Sequence, residues 1–414
     1  MSLSAAMYSG ISGLMVYGDA MNVTGDNIAN INTTGFKSSR AIFADILANS
    51  VANGSATLQF GRGALISNVT QEFSQGSFES TGNATDMAIQ GTGFFVVRDK
   101  SSGGMFYTRA GQFTLNKDGL LVNPNDAVVQ GYKMSTNASG AVTRSGTASD
   151  IDITGVQSTP RETSIFRLGI NLNAAASAGA TFSTSFNAYN SLGETTTVTY
   201  TFTKQTTAQT WNYVAASSIG SVTAGASGSV TFNSAGQITA PTTDQSMTVS
   251  GFGSGAGNLT MAWNLRNDAA GIPYYDVTGY AAESVTSSVV QDGYSTGVLR
   301  GTSVDQEGII SGLFSNGQTQ QLWQIELADF LSPWGLSRQG NSLFAETRQS
   351  GQPILGIAKA GGFGTIYGSS LELSNVDLGQ QFVDMIANQR AYQANSRIIT
   401  TVDTMLQEAI NLKR

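Results

Sequence analysis

The two ends of this chain share one pattern of apolar residues, which the middle lacks. Near each end, apolar side chains recur at alternating spacings of four and three residues. A helix with this spacing turns one side toward a partner helix, as in a coiled coil. Two such helices so far apart in the chain predict ends that pair with each other or with other copies. The positions are Leu3, Met7, Gly10, Leu14, Tyr17, Met21, Thr24 and Ile28 in the first helix, and Leu378, Phe382, Met385, Gln389, Tyr392, Ser396 and Ile399 in the last.

The first predicted helix contains glycine at positions 10, 13, 18 and 25. Each glycine costs about 1 kcal/mol relative to alanine in a helix interior, so this helix should not be stable alone in water. We expect it to form only when packed, with its glycine side allowing close approach of another helix. Its predicted start is Ser2 or Ser4, whose hydroxyl caps free amides, and its predicted end lies in the turn-rich segment 30–35.

The last predicted helix starts at Ser374, where Ser-Asn-Val-Asp fits a capping box. After Gly379 it continues without glycine or proline to Leu412, a length of roughly 55 Å. A helix of this length is expected to project from a small domain. Two polar residues, Gln389 and Ser396, interrupt its apolar stripe, and they either set the register of the contact or face water.

The composition favours a protein that associates with itself rather than with nucleic acid. Only 12 % of the residues are charged, against ~25 % in typical soluble domains, so little repulsion opposes self-association. The net charge of −7 and the lack of a basic cluster argue against a nucleic-acid partner. The chain has no Cys and no His, which removes disulfides, thiolate nucleophiles and the commonest general base and metal ligand.

The sequence predicts no catalytic, cofactor or metal site. The glycine-rich run at 251–257 lacks the Lys-Ser/Thr of a phosphate loop and opens no helix, so a surface turn explains it better. The segment 116–119 offers too few oxygen ligands for a calcium loop. We therefore predict a protein that is not an enzyme and uses no cofactor.

The N-terminus does not have the pattern of a secretory signal. No basic residue precedes Lys37, and glycines interrupt the apolar run. No uninterrupted apolar stretch approaches the ~20 residues that span a bilayer. We therefore expect no membrane insertion, and a chain that is either cytoplasmic or exported by a route that does not cleave a signal.

Between the two ends the sequence predicts strands and turns. Short apolar runs lie at 87–90, 94–97 and 105–108, and residues 116–119 predict a hairpin turn. The clearest alternation is Thr-Thr-Thr-Val-Thr-Tyr-Thr-Phe at 195–202. This period of two is typical of a half-buried strand.

The central region is Thr-rich and nearly uncharged, unlike its flanks. It predicts a β-sandwich or barrel-like domain inserted into a first β-domain. The predicted fold class is thus mainly β, with nested β-domains and long, coiled-coil-like α-helical termini. The predicted parts are terminal helices at 1–32 and 374–414, a linker region at 33–75 and 358–373, a first β-domain at 76–145 and 289–357, and the inserted β-domain at 146–288.

Several segments resemble the bacterial flagellar rod and hook proteins, a family of axial proteins. They are Asn-Val-Thr-Gly-Asp-Asn-Ile-Ala-Asn at 22–30, Thr-Gly-Phe-Lys-Ser-Ser at 34–39, Leu-Glu-Leu-Ser-Asn-Val-Asp-Leu at 371–378 and Gln-Arg-Ala-Tyr-Gln-Ala-Asn at 389–395. The segments at 81–95 and 107–113 are similar to the family's first β-domain. The matching motif positions are Asn27, Asn30, Gly35, Phe36, Asn375, Gln389, Arg390 and Asn395.

Within that family, three further segments are similar to those of hook members. They are Tyr-Asn-Ser-Leu-Gly at 189–193, Ser-Asn-Gly at 315–317 and Leu-Ala-Asp-Phe at 327–330. The resemblance implies a subunit of the hook, a curved flexible tube that acts as a universal joint and transmits motor torque to the filament. Two alternatives remain: a distal rod protein of the basal body, and a secreted β-rich adhesin or hydrolase.

The resemblance also implies a location and a set of partners. Members are exported by the flagellar type III apparatus, so the implied location is extracellular, in the hook and basal body of the flagellum. The implied partners are copies of the same chain, the distal rod, the hook cap, the hook-filament junction proteins and the export apparatus. The terminal helices would form the inner tube, with Leu3, Met7, Leu14, Met21, Ile28, Leu378, Phe382, Met385, Tyr392 and Ile399 as the self-assembly residues.

Overall fold

The computed structural model describes residues 3–47, 49–53, 56–136, 142–267 and 274–411. In these ranges, two long helices flank many short strands, and none of the sheets closes on itself. The helices are α1, Leu3–Ala29, and α2, Leu378–Asn411, and a short 3-10 helix spans Pro333–Gly335. The predicted class, mainly β with helical ends, is confirmed. The predicted helix start at Ser2 and end at Leu412 lie outside the described residues.

The strands are numbered along the chain. Up to residue 155 they are β1 (Ser39–Asp45), β2 (Asn49–Asn53), β3 (Ala56–Phe60), β4 (Ala64–Gln71), β5 (Phe78–Ser80), β6 (Met87–Gln90), β7 (Phe94–Arg98), β8 (Met105–Thr108), β9 (Thr114–Leu115), β10 (Leu121–Val122), β11 (Val128–Thr136), β12 (Val142–Arg144) and β13 (Ser149–Asp150). From 156 to 304 they are β14 (Gln157–Ser158), β15 (Ile165–Asn171), β16 (Thr181–Tyr189), β17 (Thr195–Lys204), β18 (Thr210–Ser217), β19 (Ser221–Ala224), β20 (Ser227–Phe232), β21 (Ile238–Ala240), β22 (Gln245–Ser250), β23 (Leu259–Trp263), β24 (Arg266–Asn267), β25 (Tyr274–Tyr275), β26 (Val277–Thr278), β27 (Val285–Gln291) and β28 (Gly297–Val304). The remaining strands are β29 (Ile309–Phe314), β30 (Thr319–Ile325), β31 (Leu327–Asp329), β32 (Ser337–Gly340), β33 (Leu343–Ala345), β34 (Ile354–Gly356), β35 (Thr365–Gly368) and β36 (Ser370–Glu372).

The chain divides into two compact units. Unit 1 consists of Met1–Gly155, Thr302–Gly312 and Gln320–Arg414, and unit 2 consists of Val156–Gly301 and Leu313–Thr319. Unit 2 is therefore an insertion within unit 1, made of one long and one short segment. Its long segment begins ten residues after the predicted border at 146 and continues past the predicted border at 288.

Unit 2 is a β-sandwich rather than a barrel. One sheet has the order β19-β22-β23-β15-β26, with β27 also paired to β15, and the other has the order β16-β17-β18-β20-β21. Aromatic side chains from both sheets form the core, where the Trp263 ring lies 5.2 Å from Tyr200 and 5.4 Å from Tyr213. The strand predicted at 195–202 is confirmed, because β17 alternates between buried and partly exposed side chains along its length.

The strands of unit 1 pack around a second aromatic core. The Phe94 ring of β7 lies 5.8 Å from Phe344 and 6.0 Å from Phe330. The strands predicted at 87–90, 94–97 and 105–108 are confirmed as β6, β7 and β8. The predicted hairpin turn at 116–119 is also confirmed, since it joins the antiparallel strands β9 and β10 and contains Gly119 at a φ of +73°.

Helix α2 begins one turn later than predicted. Asp377 caps it, because its Oδ1 accepts a hydrogen bond from the Gln380 amide at 3.1 Å. The Ser374 hydroxyl instead accepts a hydrogen bond from the Val376 amide at 3.3 Å. Residues before the helix cannot join it, since Asn375 is bonded to the segment that follows α1. The predicted cap at Ser374 is therefore wrong.

Candidate self-assembly surface

Helices α1 and α2 pack against each other and run in opposite directions. Positions late in α1 face positions early in α2, and positions early in α1 face the middle of α2. The facing pairs are Asn27 with Gln381, Gly13 with Asn395, and Gly10 with Ile399. The two ends of the chain thus pair within one molecule, which is one of the two arrangements that the sequence left open.

Two glycines of α1 allow the close approach. A Cβ added to Gly13 would lie 2.6 Å from the Asn395 carboxamide, and one added to Gly10 would lie 3.1 Å from Ile399 Cγ1. By contrast, a Cβ added at position 18 or 25 would meet nothing within 4 Å. The predicted role of glycine in close helix packing therefore holds for two of the four positions.

The face of α1 that is buried consists of small and polar residues rather than of the predicted apolar stripe. Its members are spaced by three or four residues, as one face of a helix requires. They are Gly10, Gly13, Val16, Ala20, Thr24 and Asn27. Of these six buried residues, only Gly10 and Thr24 belong to the predicted stripe. The larger apolar residues of the stripe therefore lie beside the intramolecular contact.

Much of the apolar surface of the helix pair is open. Among the described residues of α2, Val402 is the only buried one. Of the predicted self-assembly residues, Met7, Leu378, Phe382 and Tyr392 are exposed, Leu14, Met21, Ile28, Met385 and Ile399 are partly buried, and Leu3 begins α1. Sequence reasoning did not identify several other exposed apolar residues, which are Tyr8, Met15, Val383, Ile386, Ile398, Met405, Leu406 and Ile410. Apolar surface this extensive is a mark of an interaction site.

A polar cluster fixes the segments that enter and leave the helix pair. The Asn27 carboxamide accepts a hydrogen bond from the Ser39 amide at 2.8 Å and donates one to the Ser39 carbonyl at 2.8 Å. Asn375 accepts from the Ser38 amide at 2.7 Å and donates to the Glu72 carbonyl at 2.7 Å. Two residues of the family motif thus tie β1, β4 and the start of α2 to the end of α1.

A buried ionic cluster lies next to these asparagines. The Glu372 carboxylate accepts hydrogen bonds from Lys37 Nζ at 2.7 Å, Gln75 Nε2 at 2.6 Å and the Gly76 amide at 3.0 Å. Its second oxygen lies 3.5 Å from Arg109 Nη1. Burial lowers the pKa of Lys37 and of Arg109, and the Glu372 charge opposes both shifts. Two buried cations therefore share one buried carboxylate.

The remaining motif residues lie around the same point or along α2. Gly35 has a φ of +68°, and a Cβ on it would lie 2.5 Å from the Ala110 nitrogen, so only glycine fits there. The Phe36 ring is buried beneath the Arg338 guanidinium, 5.2 Å away. The other motif residues are Asn30, which donates to the Asp26 carbonyl, Asn395, which donates to the Ala391 carbonyl, and Gln389 and Arg390, which are exposed.

The ionic cluster was not found from the sequence, although two of its members stood in the motif segments. Lys37 belongs to the segment 34–39, and Glu372 belongs to the segment 371–378. A charged residue inside an otherwise apolar or small-residue motif is the signal that could have found them. Their pairing across 335 positions needed the fold.

Within the described ranges, neither helix is long and apolar enough to cross a membrane. No group of three or more acidic residues in that part of the chain is placed to hold a metal ion.

Comparisons with known proteins agree with this geometry. Family models match at 7–37 (flagella basal body rod protein), 88–169 (flagellar hook protein FlgE/F/G D1 domain), 156–294 (flagellar basal body protein FlaE D2 domain) and 368–412 (flagellar basal body rod FlgEFG protein C-terminal). The first and last of these cover the helix pair, and the D2 match covers most of unit 2. The class is therefore that of the rod and hook proteins of the bacterial flagellum.

Full-length relatives narrow the class further. The chain is 34 % identical to the flagellar hook protein FlgE of Borreliella burgdorferi, over 99 % of each chain. It is 32 % identical to the flagellar hook protein FlgE of Escherichia coli, over 99 % of this chain and 100 % of that one. A crystal structure of Helicobacter pylori flagellar hook protein FlgE2 aligns at 16 % identity with a TM-score of 0.47, over 71 % of this chain and 100 % of that one. The chain belongs to the flagellar hook protein FlgE family, which is a family of structural proteins and not of enzymes.

Proposed function

We propose that this chain is a subunit of the flagellar hook, which polymerises with copies of itself into a curved tube. The tube joins the motor to the filament and transmits torque while it bends. The observation that supports this proposal most directly is the open apolar face of the α1–α2 pair. A face of this kind is costly to leave in water, and a second copy of the same helix pair is a partner of matching chemistry.

A universal joint must transmit torque and must also bend. The apolar surface of the helix pair suits the first task, and the polar surface of unit 2 suits the second. Apolar contacts between helix pairs are extensive, so they resist separation under torque. Unit 2 exposes hydroxyl-bearing residues such as Thr195, Ser183 and Ser185, and from 205 to 243 it has no charged residue. Polar, hydrated contacts are remade at little cost, so we assign to unit 2 the contacts that change as the tube bends.

The proposal includes a location and partners. Membership of the FlgE family supports assembly in the flagellum. We propose that the chain leaves the cell through the flagellar type III apparatus and assembles outside it beneath a cap. The distal rod would adjoin one end of the tube, and the hook-filament junction proteins would adjoin the other.

Electron microscopy of the purified full chain at rising concentration tests the proposal. Curved tubes are expected. Straight tubes would instead indicate a rod protein, and a chain that stays monomeric at every concentration would overturn self-assembly altogether. Deletion of residues 1–30 should abolish tubes and leave the strands of both units folded, as judged by far-UV circular dichroism. Tubes formed by the truncated chain would show that α1 is not needed.

A further inference from the structure

One sheet of unit 2 ends in two strands that each have an unpaired edge within the described part of the chain. Strand β19 pairs only with β22, and β27 pairs only with β15. Strands β23 and β26 occupy the opposite edge of β15, where they pair with its first and last residues. The two outermost strands of this sheet are therefore β19 on one side and β27 on the other, and each has one unpaired edge.

The β27 edge lacks the charged side chains and the proline that most often prevent a strand from pairing with another chain, although a β-bulge at Ser287 interrupts its pairing with β15. Its sequence, Val-Thr-Ser-Ser-Val-Val-Gln, contains no charge, no proline and no glycine. Val285, Val289 and Val290 are 53 %, 38 % and 56 % exposed. Because neighbouring residues of a strand point to opposite faces, Val289 and Val290 make both faces of this edge apolar. An uncharged, apolar, exposed edge strand is a template for strand addition.

The β19 edge at the other end of the sheet is also uncharged. Its sequence is Ser-Val-Thr-Ala, and Ser221, Thr223 and Ala224 are exposed. Each copy of the chain carries a net charge of −7, so two copies repel each other weakly over most of their surface. A contact between two uncharged edges avoids that repulsion.

The directions of the strands make the two edges complementary. Strand β19 is antiparallel to β22, β22 is antiparallel to β23, β23 is parallel to β15, and β15 is antiparallel to β27. Hence β19 and β27 run in opposite directions. If a second copy continues the sheet in the same orientation, its β19 meets β27 as an antiparallel strand, which is the more stable kind of pairing.

We propose that β27 of one subunit pairs with β19 of a second copy, so that this sheet continues from subunit to subunit. The proposal rests on the proposed self-assembly and names a surface for it. The contact is head-to-tail, since it joins two different edges, and head-to-tail contacts that do not close into a ring build open polymers. Pairing of β27 with β27 would instead give a two-fold dimer that ends assembly. Because β19 has only four residues, each contact is small enough to open and reform as the tube bends.

Cysteine cross-linking in assembled tubes tests the proposal cleanly, because the chain has no native Cys. Tubes are grown from an equal mixture of Val290→Cys and Thr223→Cys subunits and treated with a short bis-maleimide, which tolerates a small difference in register. Mixed cross-linked dimers are expected to form at least tenfold faster than in a matched mixture of Val214→Cys and Thr223→Cys. Val214 is as exposed as Val290 but lies on the interior strand β18.

Each outcome of the cross-linking test either supports or overturns the pairing of β27 with β19. Mixed dimers that form no faster than the Val214→Cys control, in tubes of normal appearance, overturn the edge pairing and leave the proposed hook function standing. Dimers formed by Val290→Cys subunits alone indicate β27–β27 pairing and also overturn it. Failure of the wild-type chain to form tubes at all overturns the proposed function, and this inference with it.

Discussion

Gly13 of α1 lies so close to Asn395 of α2 that a Cβ on the glycine would be 2.6 Å from the asparagine carboxamide. The carboxamide has little freedom to withdraw, because its Nδ2 donates a hydrogen bond to the Ala391 carbonyl at 2.9 Å. Alanine at position 13 would raise the intrinsic helix propensity of α1, but the packing against Asn395 requires glycine there. Gly18 lies on the same helix, where an added Cβ would meet nothing within 4 Å.

Gly18→Ala should accordingly stabilise the helix pair more than Gly13→Ala does. Each gains about 1 kcal/mol in helix propensity. At position 13 the clash costs about 1–3 kcal/mol and cancels or reverses that gain. Thermal unfolding of the monomer, followed by circular dichroism at 222 nm, should show a higher midpoint for Gly18→Ala than for Gly13→Ala. Equal midpoints would mean that α1 and α2 are not packed as closely as Gly13 and Asn395 indicate.

The helices illustrate what the sequence can and cannot predict. Their existence follows from a period of 3.5 residues, which the sequence displays. The face that is buried between the helices does not follow from it, because small residues such as Gly13 and Ala20 become buried only when a partner helix approaches closely. The start of α2 was misplaced at Ser374 for a similar reason. Asn375 holds that segment by bonds to residues more than 300 positions away, which no local capping pattern reveals.

Glu372 should matter more to the stability of unit 1 than either of its cationic partners. Glu372→Gln leaves Lys37 and Arg109 buried without a counter-charge, a change that costs about 3–5 kcal/mol. Lys37→Met removes one of two cations, while Glu372 keeps Arg109 and its hydrogen bonds from Gln75 and Gly76, so the expected cost is about 1–2 kcal/mol. Urea unfolding of both variants gives the comparison. A larger loss for Lys37→Met would contradict the assignment of Glu372 as the shared partner.

The β-rich middle was easier to predict within strands than between them. The alternation at 195–202 shows its period of two directly, so β17 was found with its buried face. The placement of β19 and β27 at opposite ends of one sheet involves strands that begin 64 positions apart, at 221 and 285. Neither strand has a local signal for its neighbour, since pairing is decided by the packing of the whole sandwich.

Lys204 should destabilise unit 2 at neutral pH. Its side chain is buried, its Nζ has no hydrogen-bond partner among the described residues, and its nearest compensation is the Trp211 ring, 5.5 Å away. Lys204→Met replaces the buried ammonium group with an apolar side chain of similar length. It should therefore raise the free energy of unfolding by about 1–2 kcal/mol at pH 7. Urea unfolding followed by tryptophan fluorescence measures the change.

The stability that Lys204→Met gains should depend on pH, in a direction set by the pKa shift of Lys204. Burial lowers the pKa of Lys204, so the folded state binds the proton less tightly than the unfolded state. The wild-type free energy of unfolding should therefore rise with pH up to the ordinary lysine pKa of about 10.4, and the advantage of Lys204→Met should shrink over the same range. An advantage of Lys204→Met that stays constant with pH would mean that burial does not lower the pKa of Lys204.

Self-assembly should depend on the exposed apolar residues of α2. Phe382 and Ile386 are 48 % and 52 % exposed, so replacing both with Ser leaves the intramolecular contact with α1 largely intact. Burial of these side chains in a neighbouring copy would contribute about 2 kcal/mol, so their loss should raise the critical concentration for tube formation roughly thirtyfold. Sedimentation of tubes across a concentration series measures it. Leu331→Ser, at a more exposed apolar residue that belongs to neither helix, should leave the critical concentration unchanged. If Leu331→Ser raised it as much as the α2 variant did, general surface hydrophobicity rather than the helix pair would drive assembly.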